Sequence, residues 1–215
     1  MKLAITYTAK TDELEEELAQ DARQLLGDGL EIATYQDLPA LKEANAAGYV
    51  SAAPAARYAG LILQAIADGA DTVLSTCCFM GDLVRTLQPF ADFSGVSLLS
   101  IDEGMCRNAV EQCARVVLLY TAPVAGNSVG HTVEHVEQLL RRHAEVTAIQ
   151  ATDVAGLSRD ALASRFADVV AEAMDEADGL ILAQPSMAAT APAMREILGK
   201  SVFCATDTPF AGLRK

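Results

Sequence analysis

The chain contains the stretch Asp71-Thr-Val-Leu-Ser-Thr-Cys77-Cys78-Phe-Met80, and 107 residues later it contains the similar stretch Asp178-Gly-Leu-Ile-Leu-Ala-Gln184-Pro-Ser186-Met187. In each copy, a short apolar run ends in small polar residues. A buried parallel β-strand of this kind delivers side chains to the rim of an α/β sheet. The repeat therefore predicts two similar halves with a site between them, with a thiol on one side and an amide and a hydroxyl on the other.

Two further pairs of segments extend this repeat along the chain. Residues 5–9 resemble residues 118–122 at an offset of 113, and residues 96–100 resemble residues 202–206 at an offset of 106. Strands that alternate with helices indicate parallel sheets covered by helices on both faces. We therefore expect an α/β fold of two pseudo-symmetric lobes. Each lobe would hold a parallel sheet of about four strands flanked by helices, with the site in the cleft between the lobes.

Hydrophobic runs and turn residues predict the individual elements. The predicted strands cover residues 3–7, 30–34, 72–75, 96–101, 116–120, 146–149, 180–183 and 201–205. The predicted helices cover residues 12–26, 58–67, 81–90, 102–113, 128–143, 158–176 and 192–198, with Asn127 or Ser128 as the cap of the fifth. Residues 37–54 are expected to form a loop. The alanine-rich residues 44–59 are a candidate homodimer interface, or else a lid or an ordinary surface loop.

Composition narrows the class of protein. The 215 residues are 51% hydrophobic and 5% aromatic, which is typical of a globular chain, and the net charge of −13 disfavours nucleic acids and anionic membranes as partners. The start of the chain turns polar too early for a signal peptide, and no apolar run reaches the roughly 18–20 residues of a membrane span. The five cysteines are odd in number and two are adjacent. We therefore expect a reduced, cytoplasmic protein.

Cys77 is the candidate reactive residue. A thiol at the end of a strand and the start of a helix lies at the positive end of the helix dipole, which favours the thiolate. The alternative is a buried and inert cysteine. The neighbouring Cys78 offers a backbone N–H to a carboxylate, and it could also be the reactive thiol or form a redox-sensitive pair with Cys77.

Several polar residues at predicted strand ends could bind a small acid. Their hydroxyls and N–H groups suit a carboxylate, although each could equally be an ordinary cap or, for the tyrosine, a core residue. The candidate substrate-binding residues are Tyr7, Thr8, Thr76, Cys78, Thr121, Gln184 and Ser186. Gln184 can hydrogen-bond to a substrate, but an amide does not usefully exchange protons.

No sequence motif supports a nucleotide cofactor or a metal site. The sequence contains no glycine-rich dinucleotide fingerprint and no P-loop, so no nucleotide cofactor is expected. His131, Glu134 and His135 match the H-x-x-E-H spacing of some zinc peptidases, but they fall on a helix whose charged residues look solvent-facing. We expect no metal site.

The chain resembles the aspartate/glutamate racemase superfamily, which includes hydantoin racemases, maleate isomerases and arylmalonate decarboxylases. The resemblance rests on residues 75–81, 101–105 and 182–187. It implies cofactor-independent proton transfer at a carbon next to a carboxylate, by two thiols on opposite faces of the substrate. Cys77 falls at the position of the first thiol, and Gln184 replaces the second. The resemblance therefore implies a single-cysteine member of the superfamily.

These expectations combine into one functional hypothesis. The protein would be a cofactor-independent racemase or isomerase that acts on a small carboxylic acid through the Cys77 thiol. The alternatives are a single-thiol decarboxylase of the same fold, or a non-catalytic protein that binds small carboxylates in a degenerate racemase site. Residues 1–102 plus 206–215 would form the first lobe, and residues 103–205 the second.

Overall fold

The computed structural model describes residues 1–27 and 29–213. In this part of the chain there are eight strands: β1 (Lys2–Tyr7), β2 (Glu31–Gln36), β3 (Thr72–Ser75), β4 (Ser97–Ser100), β5 (Arg115–Tyr120), β6 (Glu145–Gln150), β7 (Gly179–Leu182) and β8 (Ser201–Phe203). The eight α-helices are α1 (Asp12–Leu26), α2 (Leu38–Ala47), α3 (Ala52–Ala67), α4 (Gly81–Phe93), α5 (Ile101–Gln112), α6 (Pro123–Leu140), α7 (Arg159–Met174) and α8 (Ala191–Leu198). Two 3₁₀ helices, Cys78–Met80 and Pro185–Thr190, follow β3 and β7.

The strands form two sheets of the same topology. The first has the order β2-β1-β3-β4 and the second the order β6-β5-β7-β8, and all strand pairs are parallel. Helices flank both sheets, as the alternating sequence pattern predicted. The structure therefore confirms an α/β fold of two lobes with matching four-stranded parallel sheets.

A shared hydrophobic core joins the two lobes. The larger buried cluster contains Ile5 and Val73 of the first sheet together with Leu118 and Ile181 of the second. Helices α5 and α6 pack against each other between the sheets. A smaller cluster, which includes Phe166 of α7, covers the other face of the second sheet. The carboxyl ends of both sheets are thus held in a fixed relation to one another.

The structure corrects two local predictions. Residues 38–47, expected to lie in a loop, form helix α2, which has Pro39 near its start and ends at Gly48 with a φ of 76°. Alanine favours a helix intrinsically, but the segment lacks the regular apolar spacing that signals one. Helix α6 begins at Pro123 rather than after Asn127, because proline at the first helical position has no N–H to satisfy and its fixed φ suits a helix.

The assignment of residues 1–102 plus 206–215 to one lobe stays a prediction, and residues 214–215 lie outside the described part. Phe210 belongs to the larger core cluster, and Leu213 packs against it.

Across residues 1–27 and 29–213, no helix combines the length and the apolar character needed to cross a membrane.

Two glycines of α6 test how closely this helix packs against β5. A Cβ at Gly126 would lie 2.7 Å from the ring of Tyr120, whereas the nearest atom to a Cβ at Gly130 is 4.0 Å away on Leu118. Gly126→Ala should lower the free energy of unfolding by about 1–3 kcal/mol through overpacking. Gly130→Ala should raise it by about 0.5–1 kcal/mol, since alanine is the better helix former. Urea unfolding measures both, and equal effects would contradict the predicted contact.

Candidate active site

A cavity of about 190 Å³ lies where the carboxyl ends of the two sheets meet. Six of the predicted site residues line it: Thr8, Thr76, Cys77, Cys78, Gln184 and Ser186. Cys77 and Gln184 occupy equivalent positions, because each is the residue that precedes a 3₁₀ helix. The repeat in the sequence therefore corresponds to two strand ends that face one cavity. A larger cavity of about 350 Å³ shares Phe79 and Val124 with it, but neither Cys77 nor Cys78 lines it.

The Cys77 thiol is buried, with 3% of the residue exposed. The hydroxyl of Thr8 donates a hydrogen bond to its sulfur at 2.9 Å, and the backbone N–H groups of Phe79 and Met80 also point to it. These donors favour the thiolate, but burial, with a smaller contribution from the nearby Asp102, outweighs them and raises the pKa of Cys77 to about 12. The thiol is therefore protonated at neutral pH.

This protonation state corrects the expectation of a thiolate stabilised by a helix dipole. The helix that follows Cys77 directly is a 3₁₀ helix of only three residues, and α4 begins after it. A short helix has a weak dipole, whereas removal from water disfavours the charged form strongly. Burial likewise raises the pKa of Cys78 well above its ordinary value. Both thiols in the cavity are consequently in the protonated form at neutral pH.

Gln184 is held in place by the start of α6. Its Oε1 accepts hydrogen bonds from the backbone N–H of Thr121 at 2.7 Å, from the Thr121 hydroxyl at 2.9 Å and from the backbone N–H of Ala122 at 3.4 Å. The oxygen thereby binds the two residues that directly precede α6. The Nε2 group donates no hydrogen bond to the described residues, so it is available to a ligand.

Of the other candidate residues, two lie outside the cavity lining and two line it. Tyr7 is fully buried in the core and does not line the cavity, and its hydroxyl has no hydrogen-bond partner among the described residues. Thr121 also lies outside the lining and holds Gln184 instead. The Thr76 hydroxyl donates to the carbonyl of Thr6 at 3.0 Å. Of the candidate hydroxyls in the lining, Ser186 alone makes no hydrogen bond within the described residues.

Sequence reasoning missed the residues that support and close the cavity. Tyr58 of α3 is fully buried and bridges the two strand ends, with its hydroxyl 2.8 Å from the Thr6 hydroxyl and 2.9 Å from that of Ser75. Leu41 and Asn45 of α2 form one wall. No motif marks these residues, and Leu41 could be found only after α2 was recognised as a helix. Within residues 1–27 and 29–213, no group of three or more His, Cys, Asp or Glu could hold a metal ion.

Known structures share this arrangement of two lobes around a cleft. Glutamate racemase from Francisella tularensis, solved with D-glutamate, superposes with a TM-score of 0.69 at 12% identity, over 97% of this chain and 77% of that one. Allantoin racemase from Klebsiella pneumoniae gives 0.60 at 16% identity, over 97% and 84%. Arylmalonate decarboxylase gives 0.58 at 12% identity, over 98% and 89%.

The chain has the fold of the aspartate/glutamate racemase superfamily. No known family model matches its sequence, and no curated protein matches it either. At 11–16% identity, the racemase fold is what these comparisons establish. The chemistry of this protein is therefore inferred from the residues that line its own cavity.

The pH dependence of Cys77 alkylation tests the proposed protonation state. With a pKa of about 12, the rate of reaction with iodoacetamide should rise about tenfold for each pH unit between about pH 8 and pH 11, because the thiolate is the reactive form. Thr8→Val removes a donor that favours the thiolate, so the pKa should rise and the rate at a fixed pH should fall about tenfold. Mass spectrometry of the Cys77 peptide reports the rate.

Thr76→Val is the matched control, since that hydroxyl donates to the Thr6 carbonyl and not to the sulfur. It should leave the profile unchanged. A profile that levels off near pH 8, or equal effects of the two valine variants, would show that the thiol is not governed by burial and by Thr8.

Proposed function

We propose that this protein is a cofactor-independent isomerase-type enzyme that transfers a proton between the Cys77 thiol and a carbon next to the carboxylate of a small acid. The observation that carries the proposal is a buried, protonated thiol that lines a small cavity between the two lobes of a racemase fold. A general acid has to be protonated at the working pH and within reach of the reacting carbon. Cys77 meets the first condition, and its place in the cavity lining supports the second.

The donors around the cavity support carboxylate binding. The free Nε2 of Gln184 and the hydroxyl of Ser186 line the wall that the second lobe contributes. Hydrogen bonds to a charged acceptor are stronger than those between neutral groups. In this proposal these two donors and the backbone N–H of Cys78 hold the carboxylate, while Cys77 faces the α-carbon.

The proton would be delivered from one side only. Among the lining residues that the structure describes, only Cys77 and Cys78 carry groups that can exchange a proton, and both follow β3 of the first sheet. A racemase with two bases needs an acid and a base on opposite faces of the carbon. The arrangement therefore favours a reaction that needs a protonation but no prior deprotonation of the substrate, such as a decarboxylation.

A decarboxylation in this cavity would proceed through three bond changes. The bond between the α-carbon and the departing carboxylate breaks, and its electron pair forms an enediolate on the remaining carboxylate. The S–H proton of Cys77 passes to the α-carbon, and the thiolate regains a proton from water. Because burial disfavours the thiolate, that last step is strongly downhill.

A second function is supported by one specific residue. Gln184 stands where the superfamily resemblance expects the second thiol, and its side chain cannot move protons. A protein that only binds small carboxylates would need the same cavity and the same donors, with Cys77 left as an unreactive residue. Cytoplasmic location and a homodimer stay predictions under either function.

Deuterium exchange separates the two functions. The protein is incubated in D₂O with a panel of chiral and prochiral carboxylic acids that includes malonates and maleate, and each acid is followed by NMR. We expect Cys77-dependent exchange, isomerisation or loss of CO₂ for at least one acid. Cys77→Ala should reduce that rate by about a hundredfold or more, because it removes the acid group.

Cys78→Ala is the matched control, as it removes the adjacent thiol but keeps the backbone N–H. It should retain most of the activity. Full activity of Cys77→Ala, or loss of activity only in Cys78→Ala, would contradict the assigned role of Cys77. Saturable binding without any turnover across the panel would favour the binding protein.

A further inference from the structure

The cavity lined by Cys77 and Cys78 is called the thiol cavity below. Helix α2 forms one of its walls, and ion pairs hold this helix in position. Leu41 and Asn45 lie one turn apart on α2, and both line the cavity. Arg57 of α3 donates to the carboxylate of Asp37, just before α2, at 2.9 Å, and to that of Glu43 within α2 at 2.8 Å. These two ion pairs attach both the start and the middle of α2 to the first lobe. The wall is therefore part of the fold rather than a free loop.

The lining of the cavity carries no charge. Every side chain that the structure places there is neutral at pH 7, since the only ionisable ones are the two protonated thiols. Apolar surface comes from Leu14 and Leu41 of the first lobe and from Val124 of the second. A carboxylate moved into such surroundings loses its hydration without gaining a cationic partner.

The cavity is small, with a volume of about 190 Å³. A branched acid with a few carbon atoms would fill this space. One carboxylate can reach the Gln184 and Ser186 donors, which leaves the rest of the molecule against Leu41.

We propose that this cavity selects acids whose substituent on the α-carbon is small, apolar and uncharged, and that Leu41 of α2 determines this choice. The proposal rests on the proposed function, because it takes the thiol cavity as the acid-binding site. It disfavours acids that carry a carboxylate at the far end of this substituent, against Leu41. The second carboxylate that a decarboxylation requires is bonded to the α-carbon itself and lies outside this selection. Leu41 contributes through its surface and its lack of charge, and it takes no part in proton transfer.

Two acids of nearly equal size provide the test. In 2-methylsuccinate, a carboxylate replaces the terminal methyl group of 2-methylbutanoate. Binding is measured by ligand-observed NMR, and protection of Cys77 from iodoacetamide locates the bound acid at the thiol. The wild-type protein should bind 2-methylbutanoate at least about tenfold more tightly than 2-methylsuccinate. Leu41→Lys supplies the missing cation and should reverse the preference.

Asn45→Lys is the second variant in case a lysine at the partly buried Leu41 unfolds the protein, since Asn45 is exposed and lines the same wall. It should raise the affinity for 2-methylsuccinate about tenfold. Leu38→Lys is the matched control: Leu38 lies on α2, is 52% exposed and does not line the cavity. This variant should keep the wild-type preference.

Equal or tighter binding of 2-methylsuccinate by the wild-type protein would overturn the selection of apolar acids. A preference that shifts equally in Leu38→Lys and in the wall variants would overturn the role of Leu41, since any added positive charge would then suffice. Absence of Cys77 protection by either acid would overturn the proposal as well. None of these results depends on turnover, so Cys77-dependent exchange with another acid would leave the proposed function standing.

Discussion

The packing of α6 over the carboxyl end of the first sheet is the contact on which the chemistry of the thiol depends. Val124 and Ala125 of α6 line the thiol cavity, and the 3₁₀ helix that follows Cys77 packs against α6. This contact removes Cys77 from water, which raises its pKa and keeps it protonated. Cys77 therefore stays a thiol over a wider pH range than an ordinary cysteine, whose pKa is about 8.5.

Polar contacts hold this interface in register. Arg85 of α4 donates to the Thr132 hydroxyl at 2.9 Å, and that hydroxyl donates to the buried carboxylate of Asp102 at 3.1 Å. Gln184 adds a contact within the second lobe, because its side-chain oxygen accepts hydrogen bonds from Thr121 and Ala122, directly before α6. Since α6 covers the thiol and Gln184 faces the thiol, one helix start positions both sides of the cavity.

The sequence was sufficient for the parts of the structure that depend on local pattern. The strand at residues 72–75 was predicted with its observed bounds, and the 107-residue repeat placed Cys77 and Gln184 at equivalent strand ends. The features that the sequence could not predict depend on contacts between distant segments. The hydrogen bond from the Thr121 N–H to Gln184 joins residues that are 63 positions apart, so no local signal marks it. The protonation of Cys77 reflects burial by the other lobe, and α2 lacks a regular apolar pattern, so its role in the cavity was hidden.

Delivery of a proton from one side is the central claim, and the configuration of the product tests it most directly. An acid that the protein turns over is incubated in D₂O, and chiral chromatography with mass spectrometry identifies which enantiomer has acquired deuterium at the α-carbon. Transfer through Cys77 alone predicts a single enantiomer from the first turnover onward. Deuterium in both enantiomers at comparable initial rates would require a second proton-transfer group on the opposite face, and it would contradict the account.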